Sequence, residues 1–69
     1  MTPLMLHQLW SLVGRTQSHI LLNLDDTTLV HWLMRSFRAE RSLDHQETDV
    51  LSTYIRSRLP LIRDVAQGR

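Results

Sequence analysis

No cysteine occurs among the 69 residues, so the chain has neither disulfide staples nor thiolate metal ligands. That composition fits a reducing compartment, and a cytoplasmic location is the expectation. Lysine is absent too: all eight basic residues are arginine, set against seven acids for a net charge of +1 with histidines neutral. Arg15 is the only basic residue before position 35, and the seven that follow meet Glu40, Asp44, Glu47, Asp49 and Asp64, leaving an excess of two. So small an excess does not make the field of a dedicated nucleic-acid binder. Long apolar runs are missing as well. His7, Gln8, Ser11, Gly14 and Arg15 interrupt the first apolar segment, so no bilayer-spanning helix is expected. Early positive charge and a small-residue cleavage pattern are also lacking, and no export is indicated. An in-plane amphipathic anchor with Trp10 at the interface is a lesser reading, because the polar face lacks the several basic residues that anionic lipid selects.

What is present is helical periodicity, densest in Leu24–Phe37. Asp25 is placed as an N-cap, Asp26 adds negative charge to the first turn, and Leu24 and Leu29 are spaced for a hydrophobic staple. Leu29, Val30, Leu33, Met34 and Phe37 then follow one wide helical face with Trp32 on its flank. A face this wide predicts a helix lying between two neighbours.

Before it, Thr2-Pro3 is a helix opening, with Thr2 capping and Pro3 where its missing N–H is harmless. Leu6, Leu9, Trp10 and Val13 form a stripe widened by Leu4, Met5 and Leu12. Gln17, Ile20, Leu21 and Leu24 continue that face, which predicts one helix over about 3–22 with a soft point at Gly14. The alternative is a break between Gly14 and Ser18 followed by a fresh turn. After a short polar loop at 39–43, Asp44 and Glu47 have capping-box spacing, and Val50, Leu51, Tyr54, Ile55 and Leu59 supply an apolar face. Pro60 predicts that this helix ends or kinks near Arg58. Leu61, Ile62, Val65 and Ala66 then form a last apolar face folded back over the bundle, with Gly68 as C-cap. The fold class is therefore all-α: a single domain over 1–69, with helices at about 26–39, 45–58 and 61–67 after the first. A core this thin predicts an oligomer.

Catalytic chemistry finds little footing. His7, His19, His31 and His45 are 12, 12 and 14 residues apart, without the one-turn spacing of helical metal sites. Asp25 with Asp26, and Glu47 with Asp49, stand in first turns where helix-end stabilisation accounts for them. No serine or threonine has a triad partner or nucleophile-elbow glycines. The chain reads as a non-enzyme with no cofactor and no metal.

Leu24-Asp25-Asp26 with Trp32-Leu33, then Tyr54-Ile55 and the run Arg58-Leu59-Pro60-Leu61-Ile62-Arg63-Asp64, resemble small all-helical proteins of the cyanobacterial and plastid lineage that lack an assigned function. The resemblance covers residues 20–66. It implies a cytoplasmic partner-binding role and carries over no catalytic residues.

Two functions follow. The first is a non-catalytic helical interaction module, an adaptor, assembly or regulatory factor, that associates with itself or another protein through Leu6, Leu9, Trp10 and Val13. The second is a nucleic-acid-binding regulator using Arg35, Arg38, Arg41, Arg56 and Arg63. A helix-turn-helix version of it would put residues 45–58 in a DNA groove, where Asp44, Glu47 and Asp49 bring the wrong sign to phosphate.

Overall fold

In the computed structural model, which describes residues 1–68, the chain forms five α-helices and no strand among the described residues: α1 (Pro3–Arg15), α2 (Ser18–Asn23), α3 (Asp26–Glu40), α4 (His45–Ser57) and α5 (Leu59–Gln67). The radius of gyration of 11.3 Å matches the value of about 11 Å expected for one folded body of this length.

Local chemistry sets most of the helix ends. The Thr2 hydroxyl accepts from the Met5 N–H at 3.2 Å and opens α1. Asp25 opens α3 by accepting from the Thr28 N–H at 2.7 Å. Its carboxyl is held below the usual carboxylate range by the Thr28 side chain first and the Thr28 backbone N–H second. At α4 both halves of the capping box form: Glu47 N–H donates to Asp44 Oδ1 at 2.7 Å, and Asp44 N–H donates to Glu47 Oε1 at 3.1 Å.

Two expectations are corrected. The single helix over 3–22 is two helices: the break falls at Thr16-Gln17, inside the Gly14–Ser18 interval of the alternative reading, and Gly14 itself is not the stop. Thr16 turns extended, and its N–H donates back to the Leu12 and Val13 carbonyls while its hydroxyl also donates to Leu12 O at 2.8 Å. The carbonyls at the end of α1 are thereby satisfied without a left-handed residue. Gly14 stays inside α1, and a Cβ built there meets nothing within 4 Å. Gly14→Ala is therefore expected to stabilise the fold by about 0.5–1 kcal/mol, raising the thermal midpoint by several degrees in a circular-dichroism melt.

α4 ends at Ser57 with Arg58 as its C-cap, where Pro60 predicts an end, and the second correction concerns the start of the last helix, expected at 61. The last helix starts at Leu59, before the proline, and Pro60 occupies its second position, where no intrahelical N–H bond is required. Arg58 joins the two helices: its N–H donates to Tyr54 O and Ile55 O, and its carbonyl accepts from Ile62 N–H at 2.9 Å. Leu59, expected in the apolar face of the preceding helix, is instead buried as the first residue of α5.

The interior is one continuous apolar cluster. α3 contributes Leu29, Val30, Leu33, Met34 and Phe37, and packs against both α1 and α4. Leu51 and Ile55 enter from α4, and Leu59, Ile62 and Ala66 from α5, which lies on α2 around Leu21. Val50, Leu61 and Val65, which the apolar stripes assigned to buried faces, are exposed.

Candidate interaction surfaces

The four α1 residues expected at an interface do not share a free face. Leu9 and Val13 are 0% and 1% exposed and belong to the chain's own core, so they offer nothing to a partner. Trp10 is half-buried, and its indole N–H donates to the Tyr54 hydroxyl at 3.1 Å, tying α1 to α4. Arg58 sits over the other side of this link, 5.2 Å from the Tyr54 ring centroid. Leu6 is half-buried. The exposed apolar surface of α1 is one turn earlier: Leu4 is 57% exposed and Met1 43%. On α4, Val50 is 40% exposed. Met1, Met5 and Val50 line a groove of about 150 Å³ between the two helix beginnings, rimmed by Thr2, Gln46 and Glu47. A second exposed apolar pair, Leu61 and Val65, lies one turn apart on α5.

The five arginines proposed for an anionic partner also separate. Arg63 is engaged inside the fold: its guanidinium donates to the Leu21 carbonyl at 2.7 Å, the Leu24 carbonyl at 3.0 Å and Asp26 Oδ1 at 2.8 Å. One side chain of α5 thus satisfies the carbonyl end of α2 and pairs with the first turn of α3. Arg41 donates to Gln8 Oε1 at 3.1 Å. Arg56 is exposed on α4, in register with Asp49 one heptad back. Arg35 and Arg38 remain together, exposed on the outer face of α3.

Glu40 pairs with Arg15 at 2.9 Å, an exposed bridge of small energetic weight. Asp26 pairs with Arg63, Asp49 approaches His45 Nε2 at 3.6 Å, and Asp44 and Glu47 cap α4. Asp64 makes no side-chain hydrogen bond or ion pair among the described residues.

All four histidines are exposed and stand on separate helices, and no group of three or more His, Asp or Glu with metal-holding geometry occurs among the described residues. Two further depressions, of about 580 and 300 Å³, are lined by α3 alone. With no second element to wall them, they are open helix surface suited to a macromolecular partner more than to an enclosed small molecule. No helix among the described residues is long and apolar enough to cross a membrane.

Compared with known proteins, the chain matches no protein-family model, no curated protein and no solved structure, so it is assigned to no family.

The exposed apolar residues Met1, Leu4 and Val50 were not singled out by sequence as interface candidates. Periodicity marks a wide apolar arc on α1 and α4, but the part of that arc left uncovered depends on how the helices pack.

Proposed function

We propose that this chain is a small non-catalytic helical interaction module of the adaptor, assembly or regulatory kind. It pairs with a second copy of itself through the apolar surface where α1 and α4 begin. The observation that carries this reading is the apolar groove lined by exposed Met1 and Val50, with Leu4 also exposed in the first turn of α1, on a chain whose core is thin. A two-fold pairing would set Leu4 and Val50 of one copy against the same patch of the other, with Gln46, Glu47 and Thr2 as a polar rim.

The nucleic-acid alternative needs Arg35, Arg38, Arg41, Arg56 and Arg63 on one surface, whereas Arg41 and Arg63 are engaged within the fold.

Sedimentation velocity on Leu4→Glu and Val50→Glu tests the reading. Both side chains are already exposed, so helicity is retained, and a carboxylate placed in the apolar contact is expected to weaken self-association by at least about tenfold. Leu61→Glu, on α5, serves as the control. If Leu61→Glu dissociates the assembly and the other two do not, the interface lies on α5. If none of the three changes the assembly, the apolar reading fails.

A further inference from the structure

The outer face of α3 carries a charge pattern that the fold leaves uncompensated. His31, Arg35 and Arg38 occupy i, i+4 and i+7, all exposed, and none of their side chains makes a hydrogen bond or ion pair among the described residues. They span about 10 Å along the helix axis. Both depressions on this face include His31 and Arg35; Met34 and Ala39 line one, Trp32 and Thr28 the other, and no carboxylate lines either. Two guanidinium groups and an imidazole without neighbouring acids, set beside the half-buried Trp32, make a mixed polar and apolar strip.

From this arrangement we infer that the outer face of α3 docks an acidic helical segment of a different protein. The occupant carries carboxylates about one turn apart, which reach Arg35 and Arg38, and an apolar side chain that covers the half-buried Trp32.

The acids of this chain argue against a second copy as the source. Asp25, Asp26, Glu40, Asp44 and Glu47 are each engaged in a cap or an ion pair, which leaves Asp49 on α4, 3.6 Å from the exposed His45, and Asp64 on α5. Two carboxylates on different helices do not make the pair spaced one turn apart that Arg35 and Arg38 would meet. Composition favours protein over nucleic acid. Arginine, tryptophan and methionine are the residues enriched at protein interfaces, with the first two dominating their energetics. Two arginines within one turn neutralise few phosphates, and Arg41 and Arg63, which would extend the charge, point into contacts of their own. The inference is independent of self-association, because it uses a different helix face.

Fluorescence anisotropy of the full chain tests it with three labelled probes: an acidic helical peptide of about 18 residues with glutamates at i, i+3, i+4 and i+7 beside a leucine stripe, its glutamine counterpart, and a short duplex DNA. The acidic peptide is expected to bind, with affinity falling as salt rises. Arg35→Ala with Arg38→Ala should weaken it about tenfold, with the circular-dichroism spectrum unchanged. Arg35→Lys with Arg38→Lys should lose less, since charge is kept and the guanidinium fork is not. Leu4→Glu should bind the peptide as wild type does, which separates this surface from the self-association face. Absence of binding, equal binding of the glutamine peptide, or indifference to the alanine pair would overturn the proposal. Tighter binding of duplex DNA than of the acidic peptide would overturn it in favour of nucleic acid.

Discussion

Arg63→Met is expected to destabilise the protein by about 2–3 kcal/mol, read as a lower urea midpoint with an unchanged denaturant slope. Methionine keeps most of the apolar stem and removes the guanidinium. The loss is concentrated at the Leu21 and Leu24 carbonyls, which receive charge-assisted bonds at 2.7 and 3.0 Å from a side chain only 22% exposed. The Asp26 contact adds less, because that carboxylate is 71% exposed and screened by solvent. α2 has one buried residue, Leu21, and no side-chain N-cap, so it depends on this tether more than any longer helix does. Amides of α2 and α5 are expected to exchange faster in the variant than those of α3. A midpoint equal to wild type would mean that the Arg63 bonds carry no weight.

Leu33→Ala has the larger expected effect, about 3–4 kcal/mol. Leu33 is the central residue of α3, 0% exposed, on the helix that packs against both α1 and α4. Removing its branched end leaves a cavity that the rigid neighbours fill only in part. A domain of this length has a total stability of about 3–10 kcal/mol, so the variant is expected to be largely unfolded in mild urea where wild type is folded. A calorimetric melt at the wild-type midpoint would contradict the placement of Leu33 at the centre of the core.

The elements readable in advance are those whose ends are set by short-range chemistry. Asp25 and the Asp44–Glu47 box act on residues three positions away, so the starts of α3 and α4 follow from spacing. The five buried residues of α3 are those of its apolar stripe. The break after α1 was less legible, because glycine is the stronger breaker by propensity while the observed stop uses the Thr16 hydroxyl and N–H on Leu12. Pro60 likewise carries opposite meanings inside a helix and at its second position, and only the turn at Arg58 decides between them.

Surface assignments depend on tertiary packing and were the least legible. Arg63 meets the carbonyls of residues 42 and 39 positions earlier in the chain, a relation with no local signature. Leu4 and Leu9 look alike in composition, and Val50 looks like Leu51. Their separation into exposed and buried residues follows from the line along which α1 and α4 meet the rest of the bundle.

The central claim is self-association through an apolar patch, and light scattering of the wild-type chain over a concentration series, at low and high salt, tests it most directly. The account predicts a mass that rises with concentration toward about twice the 8.1 kDa of one chain, with little dependence on salt. A mass of one chain at every concentration, or an assembly that dissolves as salt is raised, would contradict it.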